Sequence, residues 1–346
     1  MRLGFFKSKK FHSAFWSVVF CMGFVCFLIF MPLVVFNESN YKLNINKIYE
    51  SSDSPKCVLN LFHIETFEGG SFSRGKYLER QASKFNKQFK NCYIVVKTLS
   101  LHELEMNLAD NNKADIYSFS CGAGAYIAGL LKELDKNNNT RDDLKDYGKI
   151  GGKLLAYPYI LSGYVLFSYD NLAGEDERLD DLVKTKKVGK KEYVGLSLSS
   201  GTQGLEVLKV NNISLLDADA TVFPSSYEAY QNFLKKKSVS LLGTNRDFAR
   251  LKNREENGGI SAIRYNYLGG FSDLVQYVGV TKSGNDYKEY YSDLFAKFLT
   301  TDNCQNDLAN YGLFSTNGKN IYSSGDYLDF ENELIKSLKS RNVFEK

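Results

Sequence analysis

The side chains that most often carry enzyme chemistry are sparse and badly spaced in this sequence. The sequence contains only three histidines: His12, His63 and His102. No two of them have the spacing of a zinc site. The stretch 195–199 begins like the nucleophile turn of a hydrolase but lacks its final glycine. Glu65 and Glu68 could pair as the acid and base of a glycosidase, although most charged loops offer such pairs. Binding without catalysis, metal or cofactor is therefore the favoured interpretation.

The elements around these residues alternate between strand and helix. Strand-like runs at 58–64, 93–99 and 115–119 are followed by helical spacings at 73–89, 100–111 and 126–134. Later strands are predicted at 193–198, 239–242, 260–265 and 275–280, and helices at 205–210, 227–235, 287–299, 303–311 and from Tyr327. Such alternation predicts a parallel α/β sheet, whose ligands bind beyond the carboxyl ends of the strands.

The loops at those strand ends hold the candidate binding residues. The first loop offers carboxylates, hydroxyls and two glycines before a helix start, through Glu65, Thr66, Phe67, Glu68, Gly69, Gly70, Ser71 and Arg74. The third strand ends in Ser118, Phe119 and Ser120, and the Phe119 ring would give a flat solute a stacking face. An ordinary capped turn and a core phenylalanine are the alternatives. Residues 201–204 resemble a weak anion nest at a helix start.

The N-terminal segment predicts a membrane anchor. Residues 13–36 carry no charge and are long enough to span a bilayer, which needs about 20 residues. Basic residues precede the segment and Glu38 follows it, so residues 1–12 would be a cytoplasmic tail and the main domain would be extracytoplasmic. No small-residue cleavage site is evident, and neither Cys21 nor Cys26 fits a lipoprotein signal. A single-pass, uncleaved signal anchor in the cell membrane is predicted, then a linker at 37–56.

The charge balance argues against nucleic acid as a partner. The net charge is +4, and the four basic residues within the first ten account for that surplus. The remaining 40 basic residues balance 40 acidic ones, whereas a nucleic-acid binder normally carries a basic excess.

Four cysteines follow the anchor, where thiols can oxidise. Cys57 and Cys92 each stand just before a strand-like run, so neighbouring parallel strands would bring them together. A disulfide between them and four reduced, buried thiols are alternatives that spacing does not separate.

Three stretches also carry a resemblance to a known family. These are 114–119 with 128–134, 152–158 with 164–172, and 269–280 with 287–312. In that order they resemble the third strand and next helix, the first crossover between lobes, and the return to lobe one in bacterial extracellular solute-binding proteins of ABC importers. The resemblance is to the sugar-binding, maltose-binding-protein-like type with the type II periplasmic-binding fold.

The resemblance implies two α/β lobes joined by hinge strands within 57–346. Lobe one would comprise about 57–159 and 271–299, and lobe two about 160–265 and 300–346. Besides the strand-end residues above, it places Tyr159, Ser162, Tyr164, Ser199, Ser200, Thr202, Asn245, Arg246, Asp247, Phe271 and Asp273 at the ligand cleft. Arg74 and Arg246 are the cations that could recognise a carboxylate or phosphate.

The implied function is the binding of a small polar solute, with a carbohydrate as the first candidate, for delivery to an ABC permease. Sugar binders often stack rings on tryptophan, yet the single tryptophan is Trp16, within the anchor. A membrane-anchored sensor or scaffold on the same fold is the second hypothesis, and an anchored hydrolase is the third.

Overall fold

The computed structural model describes residues 57–65, 73–137, 139–173, 178–200, 204–214, 218–336 and 338–345. The predicted anchor at 13–36, its flanks at 1–12 and 37–56, and the loop residues Thr66–Ser71 lie outside the described residues, as does Thr202. Within the described ranges, no helix is both long and apolar enough to cross a membrane.

The first of two large sheets is built mainly from the N-terminal half. Its strands are β1 (Cys57–Ile64), β2 (Cys92–Leu99), β3 (Ile116–Phe119), β6 (Ala156–Ile160) and β13 (Gln276–Val280), in the order β2-β1-β3-β13-β6. β1 runs parallel to β2 and β3, whereas β13 is antiparallel to β3 and β6. β3, β6 and β13 are buried along their whole length, which explains why their sequences are mostly apolar.

Helices cover both faces of this sheet. They are α1 (Arg74–Gln88), α2 (Leu101–Ala109), α3 (Gly124–Ile127), α4 (Asp142–Lys145), α9 (Asp286–Phe298) and α10 (Asp302–Asp307). Ser100 caps α2, and Glu103 completes the capping box that the sequence predicts. Short strands β4 (Lys149–Ile150) and β5 (Lys153–Leu154) form a separate hairpin. This α/β unit is lobe one.

The second sheet makes lobe two. It comprises β7 (Tyr164–Tyr169), β8 (Lys186–Val188), β9 (Lys191–Ser199), β10 (Ala220–Phe223), β11 (Ser238–Thr244) and β12 (Ile263–Leu268). The order is β10-β9-β11-β7-β12, with β8 on β9. Its helices are α5 (Leu179–Leu182), α6 (Gly204–Val210), α7 (Ser226–Leu234), α8 (Asn245–Glu256) and α11 (Asp326–Ile335). β7 and β11 form the buried centre of the sheet.

Three chain segments cross between the lobes and bond to one another. The first joins β6 to β7, the second joins β12 to β13, and the third follows residue 311. Leu161 and Phe314 exchange backbone hydrogen bonds of 2.9 and 3.1 Å, which ties the first crossing to the third. The Ser272 hydroxyl donates to the Ser162 carbonyl at 2.7 Å, which ties the second to the first. The hinge is therefore a hydrogen-bonded bundle of three segments.

The C-terminal residues differ from the sequence prediction in two places. α10 packs on α1 through Gln81, whose amide donates to Asp307 at 3.0 Å, so residues 302–307 lie with lobe one and not with lobe two as predicted. The helix predicted from Tyr327 ends at Ile335, and residues 338–345 return to lobe one. There the Val343 amide donates to the Tyr147 carbonyl at 2.9 Å.

A third difference concerns the predicted helix at 126–134. The structure has α3 followed by a single 3-10 turn at 128–130, and Leu131 forms a bridge with Thr281 instead of continuing the helix. The Leu134 amide donates to the Leu154 carbonyl at 2.7 Å. Tertiary pairing outcompetes the helical spacing of this apolar stretch, because these backbone groups find partners outside the local turn.

Candidate functional site

A buried arginine lies where the lobes meet. Arg74 is the first residue of α1, capped by the Ser73 hydroxyl, and only 2% of it is exposed. Its guanidinium donates to the Gln276 amide oxygen and to the Ser162 hydroxyl, both at 2.7 Å. Gln276 begins β13 and Ser162 lies in the first crossing, so one side chain of lobe one holds two hinge segments. Charge-assisted bonds of this kind are among the stronger ones in proteins.

A chain of hydrogen bonds extends this contact across the ends of the lobe-one strands. The Gln276 amide donates to the Ser118 hydroxyl at 3.0 Å. That hydroxyl also lies 2.9 Å from His63 Nδ1 and 2.7 Å from the Tyr159 hydroxyl. With Arg74 and Ser162 these residues form what we call the hinge network: His63, Arg74, Ser118, Tyr159, Ser162 and Gln276. Each of its side chains is almost fully buried.

The electrostatics of the hinge network keep its histidine neutral. Burial, and next the positive charge of Arg74, lower the pKa of His63 to about 3. At neutral pH the network therefore contains a single cation, the Arg74 guanidinium. A neutral imidazole offers one N–H donor and one acceptor nitrogen, and the Nδ1 atom of His63 uses this capacity in its hydrogen bond with the Ser118 hydroxyl.

Two further sequence-predicted residues pair beside the hinge network. The Tyr164 hydroxyl donates to the Asp273 carboxylate, which joins the start of β7 to the second crossing. Asn245 begins α8; its backbone amide donates to the Gly163 carbonyl at 3.2 Å and its side-chain amide donates to the Gly312 carbonyl at 2.7 Å. The structure thus brings Arg74, Ser118, Tyr159, Ser162, Tyr164, Asn245 and Asp273 to the three crossings, where they bind the protein's own groups.

An open cavity of about 880 Å³ lies beside α8 and is lined from both lobes. Lobe two provides residues of α7 and α8, lobe one provides Ala309–Gly312, and Tyr322 and Tyr327 come from the third crossing and α11. The lining is rich in tyrosine and arginine: Tyr227, Tyr230, Tyr311, Tyr322, Tyr327, Arg246, Arg250 and Arg254. We call it the Arg/Tyr cavity. Its volume falls within the range of about 300–1,000 Å³ for small-molecule sites.

A second cavity of about 630 Å³ lies near the C-terminal residues. Its lining mixes Asp146, Glu206 and Glu345 with Arg341, Tyr147 and Phe271. Phe271, predicted at the ligand cleft, is therefore half-buried against the returning C-terminal segment. The Cys121 thiol contacts the Arg341 carbonyl at 3.5 Å on the same side of lobe one.

The other sequence-predicted residues differ in how exposed they are. Phe119 is fully buried, and its ring lies 5.7 Å from that of Phe344, so the C-terminal segment covers the face expected to stack on solute. Ser120 is buried at the turn into α3, and Glu65 donates its backbone amide to the Leu99 carbonyl at 2.8 Å. In lobe two, Ser199 ends β9 and Ser200 is exposed, with its amide bonded to Phe223. Asp247 caps α8.

The two cysteines predicted to pair are direct neighbours. β1 and β2 are adjacent and parallel, and Cys57 and Cys92 are register partners at one end of the sheet. All four described cysteines are thiols. Burial, and next the neighbouring Cys57, raise the pKa of the Cys92 thiol. The disulfide stays a prediction, and the pairing of β1 with β2 places the two cysteines next to each other, as such a bond requires.

Sequence reasoning missed several residues of these sites, among them Gln276, Arg250 and Arg254. Gln276 opens the apolar strand β13, and a polar residue in a fully buried strand position was the signal. Arg250 and Arg254 follow Arg246 at intervals of four, which places all three on one helix face. That spacing becomes informative only once α8 is known to extend to Glu256.

Comparison with known proteins gives the fold its context. No family model and no curated protein sequence matches the chain. An ABC substrate-binding protein from Listeria monocytogenes, in complex with cycloalternan, has a TM-score of 0.59 at 14% identity over 82% of this chain and 88% of its own. The sugar-binding protein MalE of Xanthomonas citri has 0.59 at 13%, over 82% and 86%. The chain therefore has the type II periplasmic-binding fold of these sugar-type solute-binding proteins.

The same fold serves other ligands. Iron-bound HitA from Pseudomonas aeruginosa matches with a TM-score of 0.53 at 12% identity, over 73% of this chain and 84% of its own. Such identities establish the solute-binding fold alone. The ligand must therefore be argued from the side chains between the lobes.

Proposed function

We propose that this protein is an extracytoplasmic receptor that binds a small polar solute between its lobes and presents it to an ABC-type importer. A carbohydrate is the first candidate, because two proteins of similar fold are a sugar-binding protein and a receptor in complex with cycloalternan. The role needs no catalysis and no cofactor.

The observation that carries the proposal is the Arg/Tyr cavity, which receives residues from both lobes. A solute that contacts both walls binds the closed arrangement better than an open one, so occupancy shifts the hinge equilibrium. Such a movement would alter the hydrogen bonds of the hinge network, because Arg74 binds two crossing segments at once. The loop residues Thr66–Ser71 and Thr202 stay predicted contacts at the cleft.

The location of the receptor belongs to the same proposal. Residues 13–36 would hold the protein in the membrane with its N-terminus in the cytoplasm, and 37–56 would be the linker to the two lobes. A bilayer anchor next to a permease keeps the receptor within reach of its partner at high effective concentration.

A sensor or scaffold without transport is the second candidate, and one observation favours it. The centre of the hinge is filled by the protein's own side chains, since Ser162 and Tyr159 bind Arg74 and Ser118. A receptor whose hinge residues are engaged in this way could keep the fold while transporting nothing.

Thermal unfolding of the full-length protein in detergent tests the proposal. Sugars, sugar acids, sugar phosphates, amino acids and short peptides are compared at equal concentration. A ligand at a hundredfold excess over its dissociation constant stabilises the folded state by about 2.7 kcal/mol, which raises the unfolding midpoint. A shift confined to one solute class supports the receptor. Absence of a shift across the whole panel at millimolar concentration favours the sensor or scaffold.

A further inference from the structure

One face of α8 carries a row of positive charge. Arg246, Arg250 and Arg254 recur every four residues and all three line the Arg/Tyr cavity. Like charges at this spacing repel one another across a helix surface. Such a row is costly by itself and becomes favourable when an anion lies against it.

The described lining of this cavity contains no carboxylate to balance the arginines, because no aspartate or glutamate is among its residues. Asp247 lies closest, with Oδ1 3.8 Å from Arg250 Nη1, and its other oxygen accepts the Thr244 amide at 3.1 Å. Among the other acids on or near α8, Asp326 pairs with Lys252, and Glu255 accepts the Tyr265 hydroxyl. The cavity as described therefore has a positive wall.

Tyrosine rings make up much of the rest of the lining. Tyr322 and Tyr327 are stacked with centroids 5.0 Å apart, and Tyr227 is 62% exposed. The Arg250 guanidinium lies 5.8 Å from the centroid of the Tyr230 ring, within the range of a cation–π contact. Half-buried rings beside guanidinium groups can hold a ring-bearing solute by its flat face and its anionic substituent together.

We propose that the solute is an anionic carbohydrate, a sugar acid or sugar phosphate, whose carboxylate or phosphate binds Arg250 and Arg254 while its ring packs on the tyrosines. This inference rests on the proposed function and names the substrate class of the cavity between the lobes. Guanidinium forks bind carboxylate and phosphate oxygens in a two-point geometry. A neutral sugar of the same size would bring no negative charge to Arg250 and Arg254.

Calorimetric titration of the full-length protein in detergent tests this. The probes are galacturonate and its dimer, glucose 6-phosphate, the matched neutral sugars galactose, glucose and maltose, and inorganic phosphate as charge without a ring. We expect the sugar acids or the sugar phosphate to bind at least tenfold more tightly than their neutral counterparts. Tighter binding of the sugar acid would identify a carboxylate as the anionic group, and tighter binding of the sugar phosphate would identify a phosphate. Raising the salt concentration should weaken that binding, because exposed charges are screened.

Variants locate the site. Arg250→Gln and Arg254→Gln should each weaken binding of the anionic probe by about tenfold or more, the loss expected of one charge-assisted contact. Arg178→Gln is the matched control, because Arg178 is an exposed lobe-two arginine, with 82% of its side chain accessible. That variant should bind like the unmodified protein.

Three results would overturn the inference. Neutral sugars could bind as tightly as anionic ones, or the α8 variants could leave anion binding unchanged; in both cases the receptor function stands and the assigned substrate class falls. The third is binding of no anionic sugar at millimolar concentration. Titration of the neutral sugars in the same series then decides the receptor function separately.

Discussion

Arg74 and Arg250 place the same guanidinium in opposite settings. Arg74 is 2% exposed and bonded to Gln276 and Ser162, whereas 39% of the Arg250 side chain is accessible and its nearest carboxylate oxygen is 3.8 Å away. The first arginine holds hinge segments together, and the second faces a cavity. A residue expected to touch solute can therefore be structural, while the arginines that line a cavity lie on α8 of lobe two.

The largest expected effect is on the buried arginine. Arg74→Met should lower the free energy of unfolding by about 4 kcal/mol, because the buried polar atoms of Gln276 and Ser162 each lose a hydrogen-bond partner, at about 2 kcal/mol apiece. Urea denaturation of the full-length protein measures this. The matched control Arg178→Met should change the free energy by less than about 0.5 kcal/mol. Equal, small effects of both substitutions would show that the hinge network does not hold the lobes.

The cysteine pair tests whether lobe one has a second stabilising element remote from the hinge. Oxidation of Cys57 and Cys92 should raise the free energy of unfolding by about 3 kcal/mol, since the bond would close a long loop in the unfolded chain. Unfolding with and without reductant measures the difference. Cys304→Ser should keep the reductant effect and Cys57→Ser should abolish it. If the unmodified protein shows no reductant effect, the pair is reduced.

Acid should act on the hinge network through its histidine. The pKa of His63 is lowered to about 3, so the unfolded chain takes up the proton first as the pH falls. The stability that this group contributes is complete above its unfolded pKa of about 6.5 and is lost as the pH falls toward 3. At pH 5 the loss should reach about 2 kcal/mol. His63→Gln should flatten this part of the pH profile, and His102→Gln should not.

The smallest change in stability is expected at the second of the two arginines, Arg250. Arg250→Gln should change the free energy of unfolding by less than about 0.5 kcal/mol, because its charge lies in an open cavity with one distant acidic neighbour. Urea denaturation in the series used for Arg74 gives the comparison. A loss of more than about 2 kcal/mol would place Arg250 among the structural residues.

The sequence predicted much of the framework and less of the site. Strand and helix alternation, the Ser100 capping box and the resemblance at 152–172 pointed to two α/β lobes with a hinge near Ser162. The burial of the hinge residues was harder to predict from the sequence. Ser162 and Arg74 lie 88 residues apart and meet only when the two lobes have formed. The prediction that the Phe119 ring is open to solute was wrong for a similar reason, since Phe344, which packs against it, is 225 residues away in the sequence.

The dissociation constant of the best-binding anionic sugar, compared in Arg250→Gln and Ser162→Ala, tests the central claim most directly. We predict that Arg250→Gln weakens binding about tenfold or more at unchanged stability. Ser162→Ala should lower stability, because Arg74 loses a hinge partner, yet leave the dissociation constant within about threefold. The reverse outcome, with binding lost in Ser162→Ala and kept in Arg250→Gln, would place the solute at the hinge and contradict the account.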